Sequence, residues 1–161
     1  MRYLRLPIVL VAILMISSSR ASHGQVPQVL GPDRNPLAKV KGLTCTFSIS
    51  STGSWKGGEP KGEIKAETIA VELDSIDTEE GTARLPGADP TFMTALLAAN
   101  SLHFMERSLQ GNLTVITVFS EPDPKGRYRA VRSRHNYLKM AIPGFVAEPT
   151  VSQQYGECET R

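Results

Sequence analysis

Apolar and polar residues alternate most cleanly over Leu43–Ser50, where Leu43, Cys45, Phe47 and Ile49 are separated by Thr44, Thr46, Ser48 and Ser50. A period of two is the mark of a strand with one covered face and one wet face. The same period runs through Ile69, Val71 and Leu73 within Ile64–Asp74, although Lys65-Ala66-Glu67 favours helix. The densest structural signal is the stretch Leu102–Tyr137, which reads as three consecutive strands. Its middle strand, Asn112–Ser120, carries the β-branched run Thr114-Val115-Ile116-Thr117-Val118, stiff at χ1 and suited to a pleated surface. Gln110-Gly111-Asn112 turns the chain before it, and Glu121–Gly126, with Pro122 and Pro124, turns it after. Apolar residues on both faces predict a central strand covered on both sides, and the polar Arg127–Tyr137 predicts an edge.

Around this block, Thr82–Leu85 returns from the polar turn Asp77–Gly81, and Val151–Glu159 supplies a last short strand. Asp89, Pro90 and Asn100 carry the end signals of a short helix. A run of ten residues makes a marginal helix, so a strand over Thr91–Leu97 is expected instead. Ser51–Gly62, with four glycines and Pro60 around Trp55, and Met140–Thr150, with Pro143, Gly144 and Pro149, are expected to be loops. The predicted core comprises Leu43, Phe47, Ile49, Ile69, Val71, Leu73, Leu102, Phe104, Val115, Ile116, Val118 and Phe119.

The N-terminus changes the picture. Arg2 and Arg5 precede the apolar run Leu6–Ile16, and Ser19-Arg20-Ala21 offers a small-residue cleavage site, the layout of a secretory signal over residues 1–21. Eleven apolar residues fall short of the ~20 that a spanning helix needs, so no membrane span is expected after cleavage. Residues 22–41 contain Pro27, Gly31, Pro32 and Pro36 without an apolar period and read as a tether, poorly ordered unless docked. Residues 42–161 then form one β domain. Its two cysteines, Cys45 and Cys158, lie near its two ends, and in an exported chain they read as a disulfide. Such a bridge needs Cα atoms about 5.5 Å apart, which makes the first and last strands neighbours. The fold expected is all-β: an up-and-down antiparallel meander of about seven or eight strands. It closes into a small barrel or a flattened sandwich, the terminal strands joined by the disulfide.

Charge adds less than it first suggests. Without Arg2, Arg5 and Arg20 the formal charge falls from +2 to −1. Glu59–Asp89 holds nine acids against Lys61, Lys65 and Arg84, whereas Lys125–Lys139 holds six bases and no acid. The basic stretch, with Arg127, Arg129, Arg132, Ser133, Arg134 and His135, is the candidate polar surface; charge runs also simply face water. Near-neutral overall charge and export argue against nucleic acid as a partner. Ser133 and His135 share a strand face, but no nearby carboxylate in sequence orients the ring, so no catalytic residue is assigned. With three histidines and both cysteines bridged, the chain lacks the ligand set of a zinc site. The acids Asp74, Asp77, Glu79 and Glu80 lack the spacing of a calcium loop. Neither glycine-rich nucleotide loop is present, so no cofactor is expected.

At Ile76-Asp77, Gly81-Thr82-Ala83-Arg84, Leu102-His103-Phe104-Met105-Glu106, Ser133-Arg134-His135 and Ser152–Cys158, the chain resembles a group of small secreted bacterial proteins with no assigned activity. That resemblance spans Leu43–Glu159 and implies export and a β-rich domain, but no function. Gly53-Ser54-Trp55 is similar to the Gly-x-Trp of lipocalins, ligand-carrying barrels, yet it follows the first clear strand instead of opening it. In architecture alone the expected fold is also similar to small periplasmic inhibitors of c-type lysozyme, whose Ser-Gly-x-x-Tyr-type loop is missing here. The leading expectation is a periplasmic or extracellular, non-catalytic protein that binds another protein or an envelope component. Its alternatives are a carrier of a small apolar ligand in a barrel cavity and a periplasmic inhibitor of an envelope-degrading enzyme. A weak hydrolase using His135 is a further one.

Overall fold

The computed structural model describes residues 34–87, 91–109, 111–137 and 148–161. Eight antiparallel strands follow one another around a closed barrel in simple chain order. They are β1 (Leu43–Lys56), β2 (Glu59–Asp77), β3 (Thr82–Leu85), β4 (Thr91–Leu97), β5 (Ser101–Arg107), β6 (Leu113–Pro122), β7 (Tyr128–Asn136) and β8 (Thr150–Thr160). The expected meander is thus observed, and Thr91–Leu97 is a strand. The ring closes where β1 pairs with β8, and in that register Cys45 stands opposite Cys158. The two are disulfide-bonded, with Cα atoms 3.9 Å apart, closer than the spacing of about 5.5 Å expected of such a bridge. Because β7 pairs with both β6 and β8, it is an interior member of the ring and not the edge that its polarity suggested.

Leu43, Cys45, Phe47, Leu73, Leu102, Phe104, Ile116, Val118, Ala130 and Cys158 point into one half of the barrel and are buried. Leu37, also buried, joins the same core from a 3-10 turn, Pro36–Lys39. Asn35 holds that turn in place. Its Nδ2 donates to Ala98 O at 2.8 Å and Ser101 O at 3.2 Å, while its Oδ1 accepts from Leu37 N at 2.9 Å. The tether expected over residues 22–41 is therefore docked at its C-terminal end; residues 22–33 lie outside the described residues.

Two departures from simple alternation shape the rest. The β1 register with both neighbours shifts between Phe47 and Ile49. That shift turns Ile49 outward, 47% exposed, and sends Ser50 inward, 2% exposed. Further along, Ser51–Gly62 is not a loop. β1 and β2 stay paired as far as Lys56 and Glu59, and only Gly57 and Gly58 turn the chain, at φ 62° and 84°. Two consecutive positive φ values are what a tight hairpin turn demands, so the glycines serve the turn itself. Outward residues of β6 face solvent, because a single-walled barrel covers only its inner face. Phe119 is accordingly 40% exposed and Val115 half-buried, against their place in the predicted core. Met93, Ala95, Ala83 and Ile76 take up core positions instead.

Candidate functional site

The inward face changes chemistry halfway along the barrel. On β8, Cys158 is succeeded toward the other end by Gln154 and Ser152; on β1, Phe47 gives way to Ser50 and Thr52. On β5, Leu102 and Phe104 give way to Glu106, which stands opposite Thr114. On β7, Ala130 gives way to Arg132 and Arg134, set opposite Ile116 and Thr114 on one side and Gln154 and Ser152 on the other. On β2, Lys65 and Glu63 face Ser50 and Thr52. One end of the interior is thus hydrocarbon stoppered by Leu37, and the other is lined with hydroxyls, amides and charge.

Arg132 and Arg134 dominate the polar end. Arg132 Nη1 donates to Gln154 Oε1 at 2.9 Å, and Gln154 is itself buried. The Nε–H groups of both arginines are buried and, among the described residues, have no hydrogen-bond acceptor. Burial, and then the neighbouring charge of Arg134, lower the Arg132 guanidinium below its usual range, while Glu106 and Glu67 oppose that shift. Among the described residues neither arginine forms an ion pair within 4.0 Å, so the two carboxylates are felt without being bonded. A buried donor left unmade costs about 1–3 kcal/mol, and more when it belongs to a charged group. An incoming oxyanion is the acceptor that would remove this cost.

The stretch Arg127–His135 does not make one surface. Strand alternation divides it between the two faces of the barrel wall. Arg127, outside, pairs with Asp123 at 2.6 Å and also with Glu157, and Arg129 reaches Glu121 at 3.8 Å. Ser133 and His135 are outward as well, in register with Val115 and Leu113 on β6. Their shared face is as expected, but no hydrogen bond joins them among the described residues. Of the charged residues in this stretch, only Arg132 and Arg134 enter the interior.

Sequence reasoning did not single out a different imidazole–hydroxyl set. His103 Nε2 lies 2.9 Å from Ser101 Oγ, and its Nδ1 lies 3.0 Å from Thr117 Oγ1. All three are on the outer face of β5 and β6, with Ser101 opposite Phe119 and His103 opposite Thr117. Ser101 is buried, and the group on the far side of the ring is a hydroxyl where a triad uses a carboxylate. The arrangement satisfies three polar side chains and fixes the ring.

Outside the wall, hollows of about 490 and 540 Å³ lie along β7 and β8 and share Arg129, Tyr155 and Gly156. Phe119 and Val131 give the first of them an apolar side. No group of three or more His, Cys, Asp or Glu among the described residues is placed to hold a metal ion. No helix among them is long and apolar enough to cross a membrane. No protein-family model matches this chain, and no curated protein matches it in sequence.

Proposed function

We propose that the protein is an exported, non-catalytic binding protein whose barrel receives an anionic group of its partner, a carboxylate or phosphate, at the polar end. The observation that carries this reading is the inward pair Arg132 and Arg134, each with a buried Nε–H that has no acceptor among the described residues. Arginine's planar fork matches carboxylate and phosphate oxygens, and a partly desolvated setting strengthens the contact. The partner is a protein or an envelope component presenting such a group. The interior disfavours the alternative of an apolar cargo. Its apolar half is occupied by Phe47, Phe104, Leu43, Leu73, Leu102 and Leu37, each fully buried, and its other half is polar.

Titration with inorganic phosphate and with succinate, followed by NMR of the arginine Nε–Hε resonances, tests the reading. Arg132 and Arg134 Hε should shift on binding while Arg129 Hε stays in place. Arg132→Gln and Arg134→Gln should each weaken binding about tenfold or more, the worth of one charge-assisted hydrogen bond. Arg129→Gln should leave it unchanged. Static Arg132 and Arg134 resonances under both anions would remove the polar end from consideration.

A further inference from the structure

β2 is the longest strand of the barrel, and among the described residues its two edges are unequally paired. Along one side it follows β1 from Leu73 down to Glu59. Along the other, β3 meets it only at Asp74 and Asp77. Among the described residues, the backbone N–H and C=O groups of Glu59–Glu72 on this second edge have no strand partner. Such an edge is a template for another strand, and proteins usually blunt it with charge. Here the charges stand in a strictly alternating order: Glu59, Lys61, Glu63, Lys65 and Glu67 share one face, each two residues from the next and opposite in sign. Between them, on the outer face, Ile64 is 76% exposed.

That order is complementary to itself. When the edge pairs antiparallel with a second copy so that Ile64 meets the other copy's Ile64, Glu63 faces Lys65 and Lys61 faces Glu67, each pairing occurring twice about the two-fold axis. Residues directly opposite in an antiparallel pair sit about 4.5–5.5 Å apart, where opposite charges attract and like charges repel. A slip of two residues brings Glu63 onto Glu63 or Lys65 onto Lys65. A slip of one places the charged row against the apolar row. A slip of four keeps opposite charges paired but sets Ile64 against Pro60 in one direction and against Thr68 in the other. Only the unslipped register pairs opposite charges and brings Ile64 onto Ile64 together. We propose that the β2 edge joins two copies of this chain into a symmetric dimer with one sheet running through both barrels, centred on Ile64. A two-fold interface of this kind uses the same patch on both subunits and closes on itself, so it stops at two.

Sedimentation velocity over a concentration series tests the dimer. The wild type should associate reversibly. Glu63→Lys and Lys65→Glu should each weaken association about tenfold or more, because each turns attractive pairs into repulsive ones. The double variant E63K/K65E should recover it, since the reversed pair is again complementary. Across β1 these positions face only Thr52 and Ser50, so the reversals do not bring a like charge opposite within the barrel. Circular dichroism should report the same folded barrel in all four proteins. Ile64→Cys should form an intermolecular disulfide on mild oxidation in the wild-type background and not with K65E. A wild type that is monomeric at every concentration overturns the proposal. So does a dimer indifferent to the single reversals, which would place the contact on another face.

Discussion

At the scale of single residues, Gly156 is the described glycine least open to change. It stands opposite Phe47, next to the register shift of β1, and a Cβ built there would lie 2.0 Å from Thr46 O and 2.6 Å from Phe47 Cα. Both neighbours are backbone, so no rotamer change relieves the clash. Gly156→Ala should destabilise by about 3 kcal/mol or more, at or beyond the upper end of ordinary overpacking, read from the urea midpoint. Asp74, Asp77 and Asp123 set the response to acid. Arg84 lowers the Asp74 pKa through a side-chain hydrogen bond, the Glu80 and Glu79 amides lower that of Asp77, and the Arg127 amide leads the lowering at Asp123. All three carboxyls lie below the ordinary value of 3.8, so the unfolded chain binds protons first as the pH falls. Their contribution is present above pH 3.8 and is lost progressively below it, as pH passes through the folded values. Urea midpoints taken from pH 6 to pH 2 should fall over that acid window, and the fall should be shallower in Asp77→Asn and Asp123→Asn (about the same range of pH as for other paired carboxylates).

At the scale of elements, legibility followed period. Leu43, Cys45 and Phe47 are inward as alternation requires, and Leu102 and Phe104 likewise, because one covered face imposes a period of two. Ile49 was not readable in this way. The chain carries no local mark of the shift, which lies against the close approach of β8 at Gly156, a neighbour more than a hundred residues distant in sequence. Ser51–Gly62 reads as a loop because glycine and proline weaken strand preference, yet the pairing of β1 with β2 carries the ladder to its tip. Neighbouring strands overrode local preference there, as they commonly do in sheets. The candidate site was half legible. That Arg127–Arg134 is basic is evident from the residues, whereas its division into ion-paired outer residues and an inward pair needs the strand's parity within a closed wall.

At the scale of the whole molecule, the disulfide fastens the ring where its two ends meet. It closes a separation of 113 residues, for which the chain-entropy model gives about 4–5 kcal/mol. The variant C45A/C158A should lose stability of about that order in urea titration, with the β signal in circular dichroism retained below the new midpoint. Retention is expected because β1 and β8 are also joined by a ladder from Leu43 to Ser54. A loss close to zero would mean that this ladder alone holds the ring shut.

The sequence by itself determined the up-and-down order of the strands, though not how far β1 and β2 extend. Alternation, turn chemistry and two cysteines at opposite ends of the domain are local or countable properties, and they suffice for an antiparallel meander joined at its ends. Only the tertiary structure decided what the wall encloses. A polar residue that faces water and one that faces a polar interior look alike along a chain, so Arg129 and Arg132 cannot be told apart until the barrel closes. The β2 edge left without a strand partner among the described residues is tertiary for the same reason: a strand's partners lie elsewhere in the chain, so which of its edges they cover shows only in the folded barrel.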